Sequence, residues 1–146
     1  MSGFLLDTNL ISELVRLRPD PLVTSWMAQF QSDESALFIS VLSLGEIRKG
    51  IDDMDIGAPR RAILESWLDT DLPVRFDGRI IGIDPGISLA WGSLSSELKR
   101  RGTPIGVVDA LIAATALVRG LTVVTRNARH FRLAEVPCLN PWGEAG

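Results

Sequence analysis

The 146-residue sequence contains a single cysteine and a single histidine. One cysteine, Cys138, excludes an internal disulfide framework and is typical of proteins in a reducing compartment. Together with His130 it supplies too few ligands for a cysteine–histidine zinc site. Any metal bound by this chain must therefore use oxygen ligands, for which the 18 aspartate and glutamate residues are the candidates.

Long apolar runs and targeting signals are also missing from the sequence. No run approaches the roughly 18 apolar residues of a membrane helix. The N-terminal stretch lacks the basic start of a signal peptide, and Asp7 and Asn9 interrupt its apolar residues. These absences predict a cytoplasmic protein. The glycine motifs G-x-x-x-x-G-K-[ST] and G-x-G-x-x-G are absent as well, which argues against a nucleotide-binding domain.

What remains is the composition of an ordinary globular domain. Apolar residues make up 46% of the chain and charged residues 23%, which excludes a mainly disordered protein. The length fits one compact domain over residues 1–146. The net charge of −3 argues weakly against a protein coated in nucleic acid.

Short apolar runs alternate with helical patterns along the chain. Strands are predicted at 4–6, 36–39, 74–76, 80–83, 121–125 and 138–139, and helices at 10–16, 21–30, 41–54, 60–68, 87–100 and 107–118. This alternation predicts an α/β fold with a four- or five-stranded parallel sheet covered on both faces. Ligands bind beyond the carboxyl ends of such strands. The polar residues just past them are Asp7-Thr8-Asn9, Ser40 and Arg126-Asn127.

Three acids occupy notable positions in this pattern. Asp7 ends the first strand, Glu46 lies in the helix after Ser40, and Asp109 lies in the first turn of the most apolar helix. Three neighbouring carboxylates repel one another unless a divalent cation is present. Mg²⁺ and Mn²⁺ favour such all-oxygen ligand sets. The acids therefore predict a metal site suited to phosphodiester hydrolysis.

Each acid taken singly also has a plain structural interpretation. Asp109 is a suitable helix N-cap. Glu46 and Ser43 fit the S-x-x-E capping box. Asp7 is suited to satisfying backbone amides in the turn that follows it. Only the convergence of all three at one edge of the sheet favours the metal site over these alternatives.

A basic cluster follows the strand at 121–125, formed by Arg126, Arg129, His130 and Arg132. Positive charge supplies most of the affinity for nucleic-acid phosphates, so these residues are candidates for binding a nucleic acid, which the family resemblance described below implies to be RNA. The alternative is a solvated basic turn. We favour the phosphate interpretation because of where the cluster lies.

Four blocks of the sequence resemble the PIN-domain ribonucleases. Together they cover nearly the whole chain in the family's order, at Leu5–Leu14, Ile39-Ser40 with Gly45–Ile51, Val108–Ala116, and Leu121–Phe131. The resemblance is greatest to the VapC-type toxins of bacterial toxin–antitoxin pairs, and within them to the FitB-like branch.

The resemblance implies a three-layer α/β/α sandwich and a Mg²⁺- or Mn²⁺-dependent endoribonuclease that inhibits translation and growth unless its antitoxin is bound. It assigns the catalytic and metal-binding roles to Asp7, Glu46 and Asp109. It also assigns supporting roles to Thr8, Asn9, Ser40 and Asn127.

The resemblance further implies a homodimer and a VapB-type antitoxin. The antitoxin tail is expected in a groove formed by residues 10–30 and 43–54.

The sequence departs from the family pattern at the fourth block. Asn127 stands where many relatives carry a fourth acid, and His130 stands where an acid often precedes Phe131. We therefore expect one tightly held ion. This departure also keeps open a catalytically impaired PIN scaffold that binds RNA or antitoxin without cutting. A phosphatase of the haloacid dehalogenase type is disfavoured, because Asn9 stands where its second aspartate is needed.

Overall fold

A five-stranded parallel sheet forms the centre of the computed structural model, which describes residues 3–143. Its strands, in the order β3-β2-β1-β4-β5 across the sheet, are β1 (Phe4–Leu6), β2 (Leu37–Ser40), β3 (Ile80–Ile81), β4 (Thr122–Val124) and β5 (Cys138–Leu139). The strand β1 pairs with β2 on one side and β4 on the other. The predicted parallel sheet is therefore confirmed, with β1 at its centre.

Helices connect these strands. They are α1 (Thr8–Leu14), α2 (Pro21–Ala28), α3 (Val41–Asp52), α4 (Pro59–Ser66), α5 (Leu72–Arg75), α6 (Pro85–Arg100), α7 (Val107–Arg119) and α8 (Ala128–Leu133). Asp7, Asp20, Ser40 and Asp84 cap four of them through side-chain oxygens. Gly120 ends α7 with φ of 66°, a left-handed conformation that glycine adopts without strain.

Two apolar clusters lie on opposite faces of the sheet. Leu6, Leu10 and Ile47 belong to the cluster beneath α1–α5, whereas Leu5 and Phe131 belong to the cluster beneath α6–α8. Successive residues of a strand point to opposite faces, so Leu5 and Leu6 each enter a different cluster. The three-layer α/β/α arrangement is therefore confirmed. Within residues 3–143, no helix combines the length and hydropathy needed to cross a bilayer.

The predicted strand at 74–76 is wrong. A π-helical segment at Trp67–Asp71 joins α4 to α5, so this part of the chain is helical. Leu68, Leu72 and Phe76 are buried at four-residue spacing, which is the helical period. The short helix α8 follows β4 and was not predicted, because six residues carry too little periodicity to be recognised.

Candidate active site

The carboxylate of Asp7 is buried at the carboxyl end of β1, with 4% of the residue exposed. Its Oδ1 accepts the Thr8 backbone N–H at 2.8 Å, and its Oδ2 accepts the Thr125 hydroxyl at 2.7 Å. Burial raises the pKa of Asp7 and these two hydrogen bonds oppose that rise, while the charges of Asp109 and Glu46 raise it further. Asp7 is thus held in one conformation, within the field of two other acids.

The turn after β4 is tied to the turn after β1. The Thr125 hydroxyl oxygen accepts the backbone N–H of Asn127 at 2.9 Å, and Asn9 Nδ2 lies 3.4 Å from it. The Arg126 N–H donates to Asn9 Oδ1 at 3.2 Å. Because β4 pairs with β1, these polar residues meet around Asp7. The predictions included Asn9 and Asn127 but missed Thr125, whose only signal is that it is polar and ends an apolar strand.

Glu46 lies on the exposed side of α3 and accepts a hydrogen bond from the Thr8 hydroxyl. The same hydroxyl oxygen lies 2.9 Å from Ser43 Oγ. The capping-box interpretation of Ser43 and Glu46 is wrong, because Ser40 is the N-cap of α3 and Ser43 lies inside the helix. Ser40 therefore caps the start of the helix that carries Glu46.

Asp109 lies in the first turn of α7, whose N-cap is Gly106. The interpretation of Asp109 as the N-cap is therefore wrong. Its Oδ2 lies 2.7 Å from Nδ1 of His130, which is presented by α8. His130 was a candidate for contacting RNA phosphates, and in the structure its ring contacts an acid of the site instead.

The three arginines of the basic cluster are exposed. The Arg126 guanidinium lies over the Trp142 ring, 5.5 Å from its centroid. Arg129 and Arg132 lie on α8. Asn127 is also exposed, and its side chain makes no capping bond to α8. The arginines of this cluster are thus accessible to a polyanion.

The donor chemistry of the three acids fits a hard divalent cation. Between residues 3 and 143, no group of three or more acidic, histidine or cysteine side chains is placed so that it could hold a metal ion. Mg²⁺, however, is usually held by one or two carboxylates and completes its coordination with water and substrate phosphate. Burial is the main reason that the pKa of Asp7 is raised, and the charges of Asp109 and Glu46 add to the rise. A bound cation would offset both effects. The residues present therefore fit an ion that is shared with water and substrate.

Replacing Thr125 with valine tests the anchoring of Asp7. We expect a loss of about 1–3 kcal/mol in the free energy of unfolding, because the buried Asp7 carboxylate and the N–H of Asn127 both lose a partner. Urea unfolding measures this effect. Thr125→Ser keeps the hydroxyl and should retain most of the stability; equal losses in the two variants would contradict this role.

The fold and the site together define a PIN domain. The PIN domain family model matches residues 4–136, and the chain belongs to this family. Its relatives include the VapC ribonuclease Y4jK of Sinorhizobium fredii, which is 36% identical over 96% of this chain and 98% of the relative. Toxin FitB of Neisseria gonorrhoeae is 33% identical over 94% of this chain and 97% of the relative. The crystal structure of FitAcB from Neisseria gonorrhoeae matches with a TM-score of 0.84 at 31% identity, covering 95% of this chain and 98% of that one.

Proposed function

We propose that this protein is a divalent-metal-dependent endoribonuclease that acts as the toxin of a toxin–antitoxin pair. The observation that carries the proposal is the buried Asp7 carboxylate, whose pKa is raised by burial and by the neighbouring charges of Glu46 and Asp109. The names of the relatives support it, since one is a VapC ribonuclease and another a toxin.

One or two of the acids Asp7, Glu46 and Asp109 would bind the metal ion, Mg²⁺ or Mn²⁺, directly, and the remaining acid would act on it through water or substrate. When bound, such an ion polarises the phosphoryl oxygen and lowers the pKa of its bound water. The chain's own residues keep the site assembled: Thr125 and the Thr8 N–H fix Asp7, while the Thr8 hydroxyl binds Glu46. Asn9 ties the turns after β1 and β4 together.

Exposed arginines on α8 would bring the substrate to this site. Arg129 and Arg132 follow the turn at Asn127, whose backbone N–H is bonded to Thr125. Contacts of this kind bind the phosphate backbone and carry no sequence information. They support a nucleic-acid substrate, and the name of the related VapC ribonuclease supports RNA as its class. Asp7, Glu46 and Asp109 are then left to the reacting phosphate.

A groove beside the site is the place we assign to the antitoxin. Its volume is about 740 Å³, and its lining comes from α1, the segment after α1, α3, α4 and Trp67. Residues 21–30, which the sequence-based expectation included, do not line it. Thr8 and Glu46 belong to the groove wall, so a VapB-type antitoxin seated there would reach the acids.

Two further parts of the proposal concern the assembly and its location. We infer a homodimer, as the resemblance to the VapC-type toxins implies. We also place the protein in the cytoplasm, where RNA would be accessible to the site.

The proposal is tested by incubating the antitoxin-free protein with RNA in the presence of Mn²⁺ and after EDTA treatment. We expect cleavage with Mn²⁺, loss of cleavage with EDTA, and little change in the far-ultraviolet circular dichroism, because the fold does not depend on the ion. Equilibrium dialysis should give one tightly bound ion per chain, since Asn127 adds no charge. If the protein and its Asp7→Ala variant are equally inactive under Mn²⁺, the scaffold alternative is correct and the enzyme proposal is wrong.

A further inference from the structure

We propose that His130 is a positioning residue that holds Asp109 in place for the divalent ion. This inference rests on the proposed function, because it concerns the same site. The contact that carries it joins His130 Nδ1 to Asp109 Oδ2 at 2.7 Å. An ionised carboxylate only accepts, so the ring nitrogen is the donor.

The backbone on both sides of this contact is firmly anchored. On α8, the neighbouring Phe131 is fully buried in the cluster beneath α6–α8, and Ala128 is 4% exposed. On α7, Ala110 follows Asp109 directly and is 2% exposed. The two helices therefore present the imidazole and the carboxylate to each other from fixed positions.

The hydrogen bond occupies only one of the two carboxylate oxygens. With Oδ2 bound to His130, Oδ1 of Asp109 has no side-chain hydrogen bond among the contacts of residues 3–143. Metal-binding carboxylates are commonly oriented by a hydrogen bond from a residue that does not itself touch the metal. Here one oxygen of Asp109 accepts that bond and the other is left for the ion. His130 thus acts on the ion through Asp109.

A direct contact of His130 with RNA is the competing role. The histidine side chain is 45% exposed, which leaves part of the ring open to solvent. The Asp109 contact, however, already uses Nδ1 and sets the orientation of the ring. The geometry therefore favours the positioning role. Substituting a positioning residue changes the affinity for Mn²⁺, whereas substituting a substrate contact changes the KM for RNA.

The experiment measures Mn²⁺ binding to the full-length, antitoxin-free protein without RNA, using the paramagnetic resonance signal of free Mn²⁺. We expect His130→Ala to weaken Mn²⁺ binding by about 10–100-fold, the usual effect of losing an outer-sphere partner. His130→Asn should restore most of the affinity, because its amide nitrogen lies near the position of Nδ1 and can donate to Asp109. Thermal unfolding of both variants verifies that they fold.

Arg129→Gln is the matched control for charge, since it removes a cation from the same helix without touching Asp109. It should leave Mn²⁺ affinity unchanged. Equal weakening in Arg129→Gln and His130→Ala would overturn the proposal in favour of a general effect of positive charge. Unchanged Mn²⁺ affinity in His130→Ala would overturn it too, and a raised KM for RNA at saturating Mn²⁺ would then identify His130 as a substrate contact.

Failure of the function and failure of this inference give different results. If the unaltered protein neither binds Mn²⁺ nor cleaves RNA, the proposed function is wrong, and the proposed role of His130 is wrong as well. If the unaltered protein cleaves RNA with Mn²⁺ while His130→Ala and His130→Asn both bind the ion normally, only the inference is wrong. Equal loss of affinity in the two variants, with lowered melting temperatures, would reduce His130 to a structural link between α7 and α8.

Discussion

Replacing Asp7 with asparagine is expected to lower the rate of RNA cleavage by about 10³-fold, a loss corresponding to several kcal/mol of transition-state stabilisation. The same change is expected to make the metal-free protein more stable near neutral pH. Asp7 is buried and lies in the field of Glu46 and Asp109, so its charge is unfavourable until a cation arrives. The amide removes that charge and also removes one of the proposed metal ligands.

The sign of the pH dependence follows from the direction of the pKa shift. Burial, reinforced by two neighbouring carboxylates, raises the pKa of Asp7 in the folded state above its ordinary value. Its contribution to stability is therefore fully present below the ordinary aspartate pKa and is lost as pH rises through the raised folded value. Asp7→Asn does not titrate, so its advantage over the unaltered protein should grow across that window and then stay constant.

Urea unfolding in EDTA at a series of pH values measures this difference, and an RNA cleavage assay measures the rate. Asp55→Asn is the matched control, because it makes the same chemical change at an exposed position. It should leave cleavage unchanged. An Asp7→Asn variant that cleaves RNA at the normal rate, or that loses stability at neutral pH in EDTA, would contradict this account of the site.

Asp109→Asn is expected to lower RNA cleavage by about 10²–10³-fold while leaving the free energy of unfolding equal or higher. Gly106 caps α7, so the start of the helix does not depend on Asp109. The asparagine side-chain oxygen can still accept the hydrogen bond from His130, and one repulsive charge is removed from the surroundings of Asp7. The loss is therefore expected in catalysis alone.

Urea unfolding and Mn²⁺ titration of Asp109→Asn separate these two effects. We expect weakened Mn²⁺ binding without a lowered unfolding midpoint. A loss of several kcal/mol in stability would instead mean that the carboxylate is needed to hold α7 and α8 together. Normal cleavage by this variant would remove Asp109 from the metal site.

Much of the architecture could be predicted from local patterns. The apolar run of β1 followed by Asp7, and the β-branched run of β4 bounded by Arg126, indicated parallel strands with polar residues at one edge. Gly120 marked the end of α7, because a left-handed residue there favours glycine. Since parallel strands end at a common edge, the same reasoning placed Asp7 near Asn127, and the structure joins their surroundings through Thr125.

The remaining features depend on contacts between distant parts of the chain. Thr125 binds Asp7 across 118 positions, and His130 reaches Asp109 from a helix too short to show a period. No local sequence pattern indicates which polar residues from distant parts of the chain will be in contact. The start of α3 was also ambiguous, because both Ser40 and Ser43 are good N-cap residues. Only the packed structure assigns the cap to Ser40.

Thr8 and Glu46 belong to two places at once, the wall of the groove and the edge of the acid cluster. A protein segment bound in the groove and a cation bound at the acids would therefore both act on these two side chains. Thermodynamic linkage would make the effect mutual: whatever factor the ion imposes on the affinity of the segment, the segment imposes on the affinity of the ion. On the proposed function, release of the antitoxin and binding of the metal ion would then be coupled through Thr8 and Glu46, without any change of fold.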